Sequence, residues 1–462
     1  MRTKYSGDKI LKKIHLFKEN GYYIVIDVNS GAIHELDEDT YKVLSHFDEE
    51  GDFVMSDDLK DIEDIDEILQ EIDELKSEGL LFSEDIFEPI ARELKGRQSV
   101  LKAMCLHVAH ACNMDCEYCF AGKGRYHGDA GLMSYETGKK AIDYLITNSH
   151  GRKNLEVDFF GGEPLLNWSV VKKLVSYGRS LEKESGKNFR FTLTTNGLLI
   201  DDEVIEFCNR EMSNIVLSLD GQKITNDRMR KTKDGEGTYD LIVKKFIDFA
   251  NRRGQKDYYV RGTFTSNNLN FSDDIIHMAD LGFKELSMEP VVAPASASYA
   301  LNDEHKETLL NEYEKLSAEM LKRYREGNPF NFYHFNVDFE GGPCIAKRVS
   351  GCGVGTEYIA VTPEGDIYPC HQFVGDEKFR MGNLDTGVTN RDIIKQFMER
   401  NVYSSQECNE CFARLYCSGG CSANAYHSNG DVSRVYELGC ELHRKRVKCA
   451  IMMHIAKTNE IS

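Results

Sequence analysis

Short alternating runs of apolar and polar residues open the chain. Residues 13–17, 22–28 and 32–36 read as strands, parted by the turn formers Asn20-Gly21 and Asn29-Ser30-Gly31. The period then lengthens, and residues 40–47 and 62–78 read as helices. In the second, Ile65, Ile68, Leu69, Ile72 and Leu75 form one apolar stripe that stops near Gly79. These elements make residues 1–85 a small unit of their own. The mixed, charged stretch that follows reads as a linker over 86–102.

From residue 103 to about 300 the pattern becomes a repeat. Apolar strands at 104–109, 157–160, 189–195, 215–219, 258–264 and 285–289 alternate with helical stretches at 135–147, 169–185, 201–211 and 239–252. Such alternation implies parallel βα units with right-handed crossovers. Six units are too few to close an eight-stranded barrel, so an open partial (βα)6 barrel is expected, with its site at the C-terminal ends of the strands. An amphipathic helix over 302–325 lies in a bridging region, 301–343. Residues 344–462 carry Gly419-Gly420 punctuation, many cysteines and little periodicity. A segment that buries so small a core alone needs cross-links, and bound metal would supply them.

Composition narrows the function. With 462 residues and a net charge of −19 the chain lacks the basic surplus of a nucleic-acid groove. No apolar run is long enough to span a membrane, and the N-terminus lacks a signal-peptide h-region, so a cytoplasmic protein is expected. In that reducing setting its 14 cysteines point to metal or iron–sulfur ligation rather than disulfides. Cys105, Cys208 and Cys449 lie in apolar periodic segments and read as buried hydrophobes.

The first array is Cys112-x3-Cys116-x2-Cys119, directly after the first barrel strand. A [4Fe–4S] cluster normally takes four thiolates, so three leave one iron open for chemistry. Spacing alone also allows a three-thiolate zinc site. With Tyr118 before the third cysteine, the array resembles the signature of the radical S-adenosylmethionine (radical SAM) superfamily. Gly161-Gly162-Glu163-Pro164 at the end of the next strand, Thr194-Thr195-Asn196-Gly197 and Ser218-Leu219-Asp220-Gly221 extend the resemblance. It implies that Cys112, Cys116 and Cys119 hold the catalytic cluster. It also implies that Tyr118, Gly161, Gly162, Glu163, Asn196, Ser218 and Arg230 bind S-adenosylmethionine, with Asp227 helping. The implied chemistry is one-electron cleavage of that cofactor, then hydrogen-atom abstraction from a substrate. Arg261 and Glu289 stand near later strand ends, where polar side chains also often cap helices.

The second array, Cys352, Cys370, Cys408, Cys411, Cys417, Cys421 and Cys440, resembles the SPASM domain of radical SAM peptide-modifying enzymes. Two zinc ribbons would share its CxxC pair. The SPASM pattern assigns Cys408, Cys411, Cys417 and Cys440 to one auxiliary cluster. It assigns Cys352, Cys370 and Cys421 to another, with Cys344 as a candidate fourth ligand; three [4Fe–4S] clusters are thus expected. Residues 1–85, laid out like a winged helix, resemble the element that binds leader peptides at a sheet edge.

As a whole the chain is similar to thioether-forming maturases of SCIFF peptides. That resemblance implies joining a cysteine sulfur to the α-carbon of an acceptor, often threonine, in a cysteine-rich precursor peptide. It requires a low-potential electron donor. The alternative is an anaerobic sulfatase-maturing activity, whose family typically carries an aspartate base where this chain has His371. An iron–sulfur electron-transfer protein would explain the cysteines, but neither the Gly-Gly-Glu-Pro turn nor the six βα units.

Overall fold

The computed structural model describes residues 9–10, 12–94, 100–339 and 345–461. Strands β1 (Lys9–Ile10), β2 (Ile14–Glu19), β3 (Tyr22–Asp27) and β4 (Ile33–Leu36) form an antiparallel sheet in chain order. Helices α1 (Glu38–Leu44) and α2 (Ile65–Ser77) cover it, burying Ile14, Leu16 and Val25 against Tyr41, Val43, Leu44, Ile68 and Ile72. Asp37 caps α1 by accepting from Thr40 N. The stretch read as a linker is partly ordered: α3 (Phe87–Leu94) packs Ala91 and Phe87 against Val349, Val402 and Leu415 of the C-terminal part. Its charged outer face masked that short apolar stripe.

The repeat unfolds as expected. It runs β5 (Ala103–His110), the two-residue β6 (Gly131–Leu132), α4 (Tyr135–Asn148), β7 (Asn154–Gly161), α5 (Trp168–Ser185), β8 (Asn188–Thr195), α6 (Asp202–Glu211) and β9 (Asn214–Ser218). After α7 (Lys223–Met229) and α8 (Tyr239–Arg252) come β10 (Tyr258–Phe264), α9 (Phe271–Asp280) and β11 (Glu285–Pro290). The six long strands are parallel, in the order β11-β10-β9-β8-β7-β5. Burial alternates along β7 to β10 with period two. The helix-facing side chains, such as Val157, Phe159, Phe191, Leu193, Leu217 and Val260, are fully buried. Each contributes about 1.5–3 kcal/mol relative to exposure. The opposite face is only partly covered, so the partial barrel keeps an accessible lumen.

Helix α10 (Lys306–Arg325) leads to β12 (Asn331–Phe332), which adds in parallel beside β11. Beyond α11 (Ile345–Ser350), β13 (Tyr358–Val361) pairs in parallel with β5, and β14 (Asp366–Tyr368), β15 (Gly382–Asn383) and β16 (Gly387–Val388) continue the sheet. The cysteine-rich part is thus an extension of the barrel sheet. This leaves β5 flanked on both edges and buried throughout, as its near-continuous apolar sequence requires. The remaining elements are α12 (Arg391–Glu399), α13 (Gln406–Asn409), α14 (Arg414–Cys417), α15 (Ser422–Asn429) and the long α16 (Glu437–Ile461).

Helix α16 escaped the sequence reading for a physical reason. Residues 446–453 are all buried, Arg446 and Lys448 included, so the helix has no single apolar stripe to betray its period. No helix among the described residues is long and apolar enough to cross a membrane.

Candidate active site at the mouth of the barrel

The loop after β5 carries Cys112, Cys116 and Cys119, and it is pinned from below and beside. Asp115 N donates to Lys231 O (2.8 Å) and Glu117 N to Met229 O (2.9 Å), tying it to the end of α7. Gly162 N donates to Ala109 O (2.7 Å) and Glu163 N to Ala111 O (2.9 Å), tying it to the end of β7. The two glycines are needed for that approach. A Cβ on Gly161, whose φ is +127°, would lie 2.2 Å from Ala109 O, and one on Gly162 would lie 2.2 Å from Ala111 O. Their visible task is therefore to seat the cysteine loop.

The polar side chains then fall into two linked groups. Glu163 is fully buried and accepts from Thr195 Oγ1 (2.8 Å), Asn196 N (2.8 Å) and Leu165 N (3.0 Å). Burial pushes its pKa up, against those donors. Its carboxylate holds the turn after β8, and Asn196 in turn sends Nδ2 to Asn113 Oδ1 (2.8 Å) and toward Cys112 Sγ (3.6 Å). In the second group, Tyr118 donates to Asp220 Oδ2 (2.7 Å) and accepts from Arg230 Nη1 (3.0 Å). Asp220 Oδ1 also accepts from Thr263 N (3.0 Å). Burial lifts the Asp220 pKa to about 6, although Arg230 and Tyr118 pull it down. Ser218 closes β9 opposite Arg261. Asp227 instead caps α8, accepting from Tyr239 N (2.7 Å).

Cys112 and Cys116 are both shifted upward, burial being the largest cause in each. Burial lifts the Cys116 pKa to about 12, Arg230 opposes this, and Cys112 and Cys119 add to it. The second array separates into two groups by the same measure. Cys417 is lifted to about 12 by burial and by Cys440, Cys411 and Cys408. Cys370 is lifted by burial and by Cys421 and Cys352. These are the two sets the sequence assigned. Cys344 lies outside the described residues. Cys105, Cys208 and Cys449 are buried in the core, as expected.

Comparison with known proteins follows this geometry. The Radical SAM superfamily profile matches residues 106–281, and the SPASM iron–sulfur cluster-binding domain profile matches residues 352–412. The chain carries a radical SAM domain followed by a SPASM domain. It is 22% identical over 453 residues to the radical SAM cyclopropyl synthase TigE of Paramaledivibacter caminithermalis, covering 90% of each chain. It is 24% identical to a cysteine-type anaerobic sulfatase-maturating enzyme of Clostridium perfringens, over 67% of this chain and 85% of that one. Among solved structures, native anSMEcpe with bound AdoMet and Cp18Cys peptide superposes with a TM-score of 0.63 at 22% identity, covering 78% of this chain and 99% of that one. Streptococcus suis SuiB bound to its precursor peptide SuiA superposes with a TM-score of 0.51 at 17% identity, covering 92% and 98%.

Radical SAM and SPASM domains imply S-adenosylmethionine and iron–sulfur clusters, and the residues present fit both. Arg230 is buried with its Nε unpartnered among the described residues, a donor suited to an anionic ligand group. Buried thiols with raised pKa values ionise only if a cation draws them down. Cys112 Sγ faces Met114 N (3.4 Å), a contact that favours thiolate, and Cys411 Sγ lies 3.9 Å from Arg444 Nη1.

Sequence reasoning overlooked Asp220, Asn113 and Tyr126. The Asp220 motif was visible, but its link to Tyr118 spans 102 positions. Tyr126 donates to Gly161 O (3.1 Å) from a loop in which Lys123, Tyr126 and His127 all have positive φ. One prediction arises directly. Gly162→Ala pushes the cysteine loop off its seat, so anaerobic reconstitution should yield about four fewer irons per chain. Iron content equal to wild type would show that the loop tolerates the displacement.

Proposed function

We propose that the protein forms an intramolecular thioether in a cysteine-rich ribosomal precursor peptide, joining a cysteine sulfur to an acceptor α-carbon. The carrying observation is how the two arrays meet. Phe120 follows Cys119, His371 follows Cys370, and their rings lie 5.8 Å apart, with Phe160 of β7 5.0 Å from His371. A peptide in the lumen would thus lie beside both thiol groups. Cys352 and Cys421 of the second group are exposed, which suits an auxiliary cluster that meets a substrate sulfur.

When bound, the catalytic cluster and S-adenosylmethionine supply a one-electron cleavage that yields a hydrogen-abstracting carbon radical. In this reading the chain's own residues do the rest. Cys112, Cys116 and Cys119 hold the catalytic cluster, and Tyr118, Gly161, Gly162, Asn196, Ser218 and Arg230 frame the cofactor, with Glu163 fixing Asn196. Three [4Fe–4S] clusters bind in all. The substrate loses one hydrogen from the acceptor α-carbon and one proton from the cysteine thiol. The C–S bond forms, and the one electron left over needs an acceptor, which auxiliary clusters held by the second cysteine array would supply. Holding both peptide groups together converts an encounter into a unimolecular closure. The N-terminal module receives the leader, and a low-potential donor supplies the priming electron.

Oxidation of a cysteine to an aldehyde is the second reading, favoured by the likeness to anSMEcpe over 99% of that chain. At the position where sulfatase-maturing enzymes typically carry a carboxylate this chain has His371, whose pKa burial, with Arg261 nearby, lowers to about 4; the unprotonated imidazole can itself serve as a base, so the product decides between the two readings. The experiment uses a precursor deuterated at the acceptor α-carbon, alkylated after reaction and then fragmented. Deuterium should appear in 5′-deoxyadenosine, and one cysteine should resist alkylation while keeping its sulfur. Deuterium retained in the peptide, or a product that reacts with hydroxylamine, would overturn the thioether reading.

A further inference from the structure

The lumen of the barrel holds a cation, Arg261, that makes no direct ion pair among the described residues and feels Glu289 only at longer range. Burial alternates along β10, so Tyr259, Arg261 and Thr263 face inward, and Arg261 is the exposed member of the strand. Register places Arg261 between Ser218 of β9 and Ser287 of β11, at the level where the cofactor-framing residues end their strands. One inward step further, Thr263 is tied to Asp220, and its β11 neighbour in register is Glu289.

Glu289 is already taken. Its Oε2 faces Arg446 Nη2 (3.4 Å) and its Oε1 faces His334 Nε2 (3.4 Å). Arg446 and Glu289 therefore balance as a pair, braced by the Tyr313 hydroxyl against Arg446 Nε (2.8 Å). Burial lowers the His334 pKa to about 3, so it adds no charge. Among the described residues no carboxylate lies within ion-pair distance of Arg261, and no hydrogen bond is made by its guanidinium. Its register neighbours on β9 and β11 are the serines Ser218 and Ser287, and its charge reaches Glu289, His334 and His371 without a direct bond to any of them. A long cationic side chain without a direct ion pair is unusual on an inner barrel face, where neutral residues usually fill space.

We propose that Arg261 is a specificity residue that receives a carboxylate of the peptide substrate, from an Asp or Glu side chain near the modified residue or from the peptide's C-terminus. The guanidinium fork suits bidentate pairing with a carboxylate, and the half-enclosed lumen strengthens that pair over one in open water. The pairing fixes which residue of a bound peptide stands over the reacting centre. It rests on the reading that a peptide enters the lumen, and on nothing about which bond is made there. The carboxylate of S-adenosylmethionine is the competing source of the same chemistry, and Arg230 with its free Nε is already placed for it.

The test is a double-mutant cycle on the reconstituted enzyme with the precursor peptide encoded beside its gene. Each core Asp or Glu is replaced in turn by its amide, and the C-terminus is amidated in a separate peptide. Peptide affinity is read by fluorescence anisotropy with S-adenosylmethionine present, and cofactor affinity is titrated separately. Arg261→Gln should weaken peptide binding about 10- to 100-fold, the scale of a lost charge-assisted pair, with cofactor affinity unchanged. One amide replacement should cost wild type the same factor and cost R261Q nothing more, identifying a side chain or the C-terminus as the source. Arg261→Lys should restore part of the loss. Additive losses in every cycle, unchanged peptide affinity in R261Q, or a loss confined to the cofactor would each overturn the assignment. An aldehyde product with the cycle intact would instead reject only the proposed bond.

Discussion

Replacing Cys112, Cys116 and Cys119 together with Ala abolishes reductive cleavage of S-adenosylmethionine and removes about four irons per chain, while the fold survives. Each part of that expectation has a structural source. The three cysteines are only partly buried, and the loop that carries them is seated by backbone, through Ala109 O, Ala111 O, Lys231 O and Met229 O. Removing them strands no buried donor in the Asn196 group, because Asn196 Nδ2 keeps Asn113 Oδ1 at 2.8 Å. Far-UV circular dichroism should therefore match wild type, and iron held by the second array should remain. Methionine and 5′-deoxyadenosine formed under dithionite are the readout. Cleavage near the wild-type rate would place the catalytic centre elsewhere.

Which parts of the molecule were legible in the sequence follows from how far apart the cooperating residues lie. Strands β7 to β11 announce themselves because burial on their helix side forces an apolar residue at every second position, as in Phe189, Phe191 and Leu193. The cysteine loop was legible because Cys112, Cys116 and Cys119 stand close together in one short loop. The partition of the second array became readable through family resemblance, and the structure brings together the thiols so assigned, Cys344 excepted as outside the described residues.

What could not be read is long-range. The cysteine-rich part was expected to stand apart, yet β13 pairs with β5 across more than two hundred residues. The supposed linker carries α3 because Val349, Val402 and Leu415 arrive from the far end of the chain to cover it. Helix α16 lacks a stripe because neighbours surround it. Glu163, expected to touch the cofactor, also holds the β8 turn through Thr195 and Asn196. No local pattern distinguishes a carboxylate that binds a ligand from one that fixes the residue beside it.

The N-terminal module shows the same long-range logic, and it bears on a second large effect. Arg414, buried between Cys411 and Cys417, donates to Asn29 Oδ1 and to Asp85 Oδ2 (2.8 Å). Phe412 stacks on His15 of β2 with ring centroids 4.0 Å apart, and Lys445 bridges the buried Glu19 to Glu314. Deleting residues 1–85 would strip these partners from the segment that bears two cluster cysteines, and so would confound leader binding with cluster loss. Changing Cys408 and Cys411 to Ala is the cleaner probe of the second array. The Ser405 hydroxyl still caps α13 by accepting from the backbone N of residue 408, Arg414 keeps Asn409 O (2.8 Å), and Arg444 keeps Glu441 (2.7 Å), so the segment stays docked. Cofactor cleavage should then hold within about threefold, because the barrel site is untouched, while about four irons leave the second array. On the proposed thioether chemistry, peptide modification should fall at least about a hundredfold, since the electron left by closing a C–S bond would lose its acceptor. Uncoupled 5′-deoxyadenosine with unmodified peptide is the expected signature. Modified peptide at the wild-type rate from a variant shown to lack that iron would remove the auxiliary cluster from the reaction.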